Sequence, residues 1–238
     1  MSLIYPGFLL PFRAVATVED TGWSLVSQGT AVVDPVGSPS AYGATINLSG
    51  STQEGDVVVV AQCCDGSTPN RGVENFTTRF SSEDIVPNCS VATFMMTSSP
   101  ITSFNVQQSS TLKKSVGWQI WRGANTTTLL DVAAQSAWTT ATAAANAPAI
   151  TTANDGSLVL RFCFVDDIDV AAGAAYPSGY VNQLATDTGD GQTSNNGATI
   201  LMCSKYVASA ALEAAAAFGV SAAEDTWTAS IALRKAGV

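Results

Sequence analysis

The chain contains no histidine, and only 12% of its 238 residues are charged. Without an imidazole, histidine-based triads, the usual proton shuttle near neutral pH and most zinc sites are excluded. No Gly-x-Ser-x-Gly elbow supplies an activated serine. Basic residues are scarce: ten Lys and Arg stand against nineteen Asp and Glu, for a net charge of -9. Phosphate binding depends on clustered cations, so nucleic acid is not an expected partner. The adjacent basic pair Lys113-Lys114 reads as a solvated feature of an edge strand or loop. No apolar run is long enough for a membrane helix, and the Ala-rich stretch Ala208–Phe218 covers only about three turns. The five cysteines lack the spacing of a disulfide framework or zinc site. Cys63, Cys163 and Cys203 lie inside apolar runs, as core thiols do, and a reducing cytosol fits as the place of assembly.

What the chain has in quantity is Thr, Val, Ala, Gly and Ser, the composition of strands joined by tight turns. The most legible stretch is Asn154–Asp167. Leu158, Leu160, Phe162 and Phe164 fall on one face of a strand, while Val159, Arg161, Cys163 and Val165 share the other. Val57–Val60 is β-branched throughout and predicts a central strand covered on both faces. Near the C-terminus, Trp227, Ala229, Ile231 and Leu233 alternate with Thr226, Thr228, Ser230 and Ala232, which predicts a half-buried strand over Thr226–Arg234 with a polar outer face. Gly22–Ser27 and Thr30–Val33 read as a hairpin. Thr126–Ile150 reads as a long connection with a strand near Trp138 and room for a short helix at Val132–Ala137, and Ala208–Phe218 as a short helix or connection. The fold expected is an all-β jelly-roll or Greek-key β-sandwich of about ten strands with little helix. Residues 1–13 form an extended N-terminal docking arm and 14–238 one sandwich domain.

Candidate contacts follow from exposure and residue type. In the arm, Tyr5, Phe8, Leu9 and Phe12 are apolar anchors for a partner, between Pro6 and Pro11, which keep the backbone extended. Arg71 and Asn75 lie in the polar stretch 67–87, a natural place for surface contacts. Tyr176 and Tyr180, in a Gly-rich loop, are candidates for an exposed ligand contact, weighed against ordinary packing. Asp187 and Asp190 offer oxygens that calcium accepts, but the EF-hand spacing is missing and Asp beside Gly is ordinary turn chemistry, so no metal and no cofactor is expected. Glycosidases need two carboxylates flanking a sugar. Glu74, Glu83, Asp84 and Asp166–Asp169 are available in loops, but no sequence spacing pairs them, and the chain is not read as an enzyme.

Five markers occur in order: Gly55-Asp56 opening the all-Val strand, Trp121-Arg122-Gly123-Ala124, Ala147–Thr152, Asp155-Gly156-Ser157-Leu158, and a last strand closing on Ala232-Leu233-Arg234. In this set the chain resembles single-jelly-roll structural proteins of tailed bacteriophages, found as head-decoration, tail or fibre components. The resemblance covers roughly residues 42–238. It implies a virion protein assembled in the host cytoplasm, without catalytic residues. Its partners would be other virion proteins, a major capsid or tail protein, and further copies of itself, in a trimer for example. The first expectation is a capsid decoration or cement-type subunit docked through the arm. The competing one is a tail or fibre module whose loops bind a host glycan or receptor.

Overall fold

A computed structural model describes residues 21–35, 43–65, 72–82, 86–107, 112–166, 175–188 and 197–238. The arm residues Tyr5, Phe8, Leu9 and Phe12, together with Arg71 and Asp190, lie outside the described residues. Within them every regular element is a strand, and the strands of each sheet pair antiparallel.

Residues 24–122 supply one five-stranded sheet: β1 (Ser24–Val33), β3 (Val57–Cys64), β4 (Thr77–Ser81), β5 (Asn88–Met95) and β7 (Lys114–Arg122), in the order β1-β7-β3-β5-β4. Residues 130–233 supply the second: β8 (Leu130–Ala147), β10 (Ser157–Val165), β11 (Val181–Asp187), β12 (Thr199–Val207) and β14 (Ala216–Leu233), in the order β11-β12-β10-β14-β8. Two small pairs complete the chain, β2 (Ala44–Asn47) with β6 (Ser103–Val106) and β9 (Ile150–Thr151) with β13 (Leu212–Glu213). The all-β sandwich is as expected. Each sheet, however, is drawn from one half of the chain, so successive strands do not pass alternately between sheets as in a jelly roll.

Read from opposite ends, the two sheet orders are the same: in each half the strands lie in the order first, fifth, second, fourth, third. The registers match as well. Val57 lies between Trp121 and Met95 as Leu158 lies between Leu233 and Tyr206. Each half's first strand has a register shift at the same place: Leu25 and Ser27 face Trp121 and Ile120, while Leu130 and Val132 face Leu233 and Ala232. The third strand of each half carries a second shared irregularity, in the pairing of Thr78/Phe80 and of Val181/Leu184. The sandwich is one five-stranded design used twice.

Three apolar layers stack through it. Val57, Val59 and Ala61 meet Leu160, Phe162 and Phe164 between the sheets. The outer face of the first sheet, with Val58, Val60 and Ile120, is covered by Ile46, Phe104 and Val106 from the β2/β6 pair. Val57–Val60 are therefore buried on both faces, as read from their β-branching. The outer face of the second sheet is covered by its own chain. Beyond Thr226 the β8–β14 ribbon shifts register twice, and its far end lays Ala145, Ala147, Phe218 and Val220 over Val159, Cys163 and Val165. Register irregularities of this kind bend a strand, and here they allow the ribbon to fold back.

That fold-back explains three departures from the sequence reading. The stretch 126–150 is mainly one strand, 18 residues long, rather than a connection with a helix. The last strand starts at Ala216, inside the stretch read as a short helix or connection, and also runs for 18 residues. The expected polar outer face, Thr226, Thr228 and Ser230, is buried because the ribbon's carbonyls accept its hydroxyls. Thr228 Oγ1 donates to Asn146 O at 2.9 Å and Ser230 Oγ to Pro148 O at 2.8 Å. The expected hairpin at 22–33 is likewise one strand. Gly29 gives no turn; it makes room for Trp118, whose Cζ2 would lie 2.4 Å from a Cβ at that position.

Candidate functional site

Most buried charge is committed to holding these layers together. Arg161 is fully buried: its Nε donates to Tyr180 Oη at 2.6 Å, and its guanidinium nitrogens donate to the carbonyls of Ala147 at 3.1 Å and Ala214 at 2.5 Å. It fastens the folded-back ribbon to the sheet. Asp56 is also fully buried and takes a bidentate pair from Arg122, 2.9 Å at each oxygen, while its Oδ2 accepts the Gln53 N–H at 2.9 Å. Two of the sequence markers, Gly55-Asp56 and Trp121-Arg122-Gly123, thus meet at one end of the sandwich. Gly123 has φ of 111°, and a Cβ there would lie 2.0 Å from the Gly22 carbonyl oxygen. Lys114 corrects the expectation of a solvated basic pair. It is 1% exposed, donates to Gln62 Oε1 at 3.0 Å and Gln107 O at 2.6 Å, and burial pushes its pKa down to about 8. All five cysteines are buried thiols outside any disulfide.

The sequence candidates are scattered. Tyr180 is only 6% exposed because its hydroxyl is the acceptor for Arg161, so it is not an exposed ligand contact. Tyr176 is half-buried with its ring edge-on to Phe218 at 6.0 Å. Asn75 is exposed, in the left-handed region at φ of 65°, and lies by the outer layer of the opposite sheet, lining a shallow groove with Phe76, Phe94 and Phe104. Asn75 and the two tyrosines therefore belong to opposite outer layers and do not converge. Asp187 ends β11, and among the described residues no cluster of three acidic or sulfur ligands could hold a metal.

Two further arrangements emerge. At the end of the sandwich away from Arg122, Asp65 and Asp166 occupy matching places in the two halves and hydrogen-bond to each other across the sheets. Burial, the Asp65 carboxylate, and then Glu224 and Asp225 push Asp166 up to about 8, so at neutral pH it holds the shared proton. Carboxyls in direct contact leave no space for a glycosidic bond between them. Glu74 is also engaged, as the acceptor for Asn105 Nδ2 at 2.7 Å.

The second arrangement is a pair of grooves at the two lateral edges. One, of about 380 Å³, lies between β4/β5 and the chain entering β8. Asn125 Oδ1 accepts the N–H groups of Thr127 at 3.0 Å and Thr128 at 2.9 Å, an Asx turn that sets Thr126–Thr128 along the rim. The opposite wall is Thr77, Arg79 and Thr93. The register shift at Thr78/Phe80 lets Phe80 enter the core while Arg79 Nε donates to Thr93 Oγ1 at 2.7 Å. The other groove, of about 230 Å³, lies between β11/β12 and the chain entering β1. Val181, Asn182, Ser204 and Tyr206 match Thr77, Thr78, Thr93 and Met95, and Trp23 matches Thr128. Each groove thus joins the third and fourth strands of one half to the first strand of the other. Sequence reasoning passed over Arg79 and its threonines; the signal available was the pair of threonine runs, Thr77-Thr78 and Thr126-Thr127-Thr128.

Compared with known proteins, the chain matches no family model, no curated protein and no solved structure.

Proposed function

We propose that this chain is a non-catalytic structural subunit of a bacteriophage particle, of the capsid decoration or cement type, attached through residues 1–13 and working as a homo-oligomer. The observation that carries the reading is the commitment of buried ionic groups to fastening one layer on another: Arg161 holds the ribbon, Asp56 and Arg122 lock the sandwich end, and Lys114 ties β7 to the chain at Gln107. Buried charges arranged as fasteners suit a protein whose task is to hold a shape. Support also comes from the sparsely charged, hydroxyl-rich composition and from Trp138, 41% exposed on the edge strand β8, which suits contact with another subunit.

Immunogold labelling of purified particles with antibody to this chain tests the location. Gold over the head faces is expected, with loss of attachment when residues 1–13 are deleted. Gold at the tail tip, or attachment unchanged by the deletion, overturns the decoration reading. A second reading, a tail or fibre module that binds a glycan, is favoured by the hydroxyl-lined groove around Arg79.

A further inference from the structure

The Arg79 groove combines three features that a ligand would need. Its guanidinium is partly buried, and burial lowers its pKa, yet no carboxylate pairs with it among the described residues. Arginine carries five N–H donors in a planar fork. Among the described residues only its Nε donor is engaged, on Thr93 Oγ1, which is itself part of a residue 1% exposed. Arg79 lines a groove of about 380 Å³, a size within the range of small-ligand sites. Across it stand Thr126–Thr128, held by the Asn125 turn, with Met95 and Leu130 supplying apolar surface between.

Each feature selects a part of the ligand. A planar fork without a protein counter-ion matches a carboxylate, which accepts two parallel N–H bonds. Threonine hydroxyls donate and accept at once, as a polyol requires. Apolar patches among polar groups suit the C–H faces of a sugar ring. The reciprocal groove supplies a contrast: it has the same position in the fold but puts Val181, Ser204 and Trp23 where this one has Thr77, Thr93 and Thr128, and it has no guanidinium on its lining. Charge recognition therefore belongs to one groove only.

We propose that the groove between β4/β5 and Thr126–Thr128 is a binding site for an acidic saccharide, with Arg79 receiving the carboxylate and the rim threonines the ring hydroxyls. The assignment rests on the reading of the chain as glycan-binding and adds the ligand class and the place.

The test is calorimetric titration of the full chain with a glucuronate-containing disaccharide, with a neutral glucose disaccharide and sodium sulfate as comparators. The acidic sugar is expected to bind at least tenfold more tightly than either. Arg79→Gln should weaken it at least tenfold, and Thr127→Trp, at an exposed turn position where folding is not at stake, should block the groove to the same extent. Amide chemical shifts on titration should move at Thr77–Thr93 and Thr126–Leu130. Equal binding of sulfate reduces the site to an anion contact and overturns the saccharide. Binding of either sugar that survives both substitutions overturns the assignment to this groove while leaving a glycan-binding protein. No binding of any sugar overturns both.

Discussion

The two halves of the sandwich solve one folding problem with different side chains, and the position shared by Val60 and Arg161 shows why. Both lie on the outer face of their half's second strand and both are fully buried. Val60 is covered by the apolar β2/β6 pair. Arg161 is covered by the folded-back ribbon, which brings the carbonyls of Ala147 and Ala214 over the sheet. Buried carbonyls need donors, so the residue at that position follows the chemistry of its cover. Topology sets where a side chain goes, and the neighbouring layer sets what it must be.

Replacing Arg161 by the valine of the other half is the most severe way to break this correspondence. Arg161→Val leaves the buried Ala147 carbonyl, the partly buried Ala214 carbonyl and the Tyr180 hydroxyl without their donor, and it removes a large buried volume. The expected loss is about 3–5 kcal/mol in urea unfolding. Detachment of the ribbon should also loosen the Ala-rich surface stretch at 208–217 enough to fit a protease, read as new elastase cleavage there. A loss below about 1 kcal/mol with no new cleavage would show that the ribbon is held by its apolar contacts alone.

The next position contrasts an ion pair with a hydroxyl. Asp56 accepts from Arg122 and from the Gln53 N–H; its counterpart Ser157 instead donates to Asn154 O at 2.9 Å, in a turn of the same span. Asp56→Ser imposes the second half's solution on the first. Arg122 is 40% exposed and recovers water, so the cost falls short of that of a fully buried pair: about 2–3 kcal/mol by thermal or urea unfolding. The pair Asp56→Ser/Arg122→Ala should cost little more than Asp56→Ser, since the two residues act as one unit.

These contrasts mark what could be read in the sequence. Alternation along Leu158–Phe164 and Trp227–Leu233 placed the central core, because a period of two survives whatever lies outside the sheet. The β-branched run at Val57–Val60 likewise announced burial on both faces. The markers at Asp56, Arg122 and Asp155 were visible as an ordered set, but their meeting at one end was not, since that depends on pairing between residues more than fifty apart. Ala and Thr at 126–150 carried too little apolar contrast to reveal an 18-residue strand. The groove was hidden for the same reason: Arg79 and Thr126–Thr128 come from different halves, and only the closed sandwich brings them opposite each other.

The matched acids sharpen the comparison through pH. Asp65 and Asp166 share a proton, and both carboxyls are pushed up, Asp166 to about 8, by burial first and then, for Asp166, by Asp65, Glu224 and Asp225. A carboxyl raised above its unfolded value binds its proton more tightly in the native state. Stability is therefore present in full at mildly acidic pH and is lost as pH rises from about 4 toward 8, with a slope of at most about 1.4 kcal/mol per pH unit for one proton. Solvent screening at the partly exposed Asp166 should reduce the total across that window to about 1–2 kcal/mol. Asp166→Asn keeps a donor for Asp65 and removes the titrating proton. Urea midpoints measured from pH 5 to 8.5 should fall in the parent and stay nearly level in this variant; parallel profiles would show that the pair does not share a proton.

The smallest effect is expected where the halves differ by one methyl group. Gly117 and Ala229 hold matching places on the last strand of each half, facing the central core. A Cβ added at Gly117 would lie 2.9 Å from Leu184 Cδ2 and 3.4 Å from Met202 Sδ, so the Leu184 side chain must move. Two terms of similar size oppose each other: alanine restricts the unfolded chain more than glycine, while the extra methyl overpacks the core. Because the obstruction is the end of a flexible side chain, Gly117→Ala should cost no more than about 1 kcal/mol. The Leu184→Val change creates the missing space, so Gly117→Ala introduced into that background should be neutral or stabilising. A coupling of opposite sign between the two substitutions would mean that Leu184 is not the atom in the way, and that the glycine is kept for the close approach of β11 to β7 rather than for a single side chain.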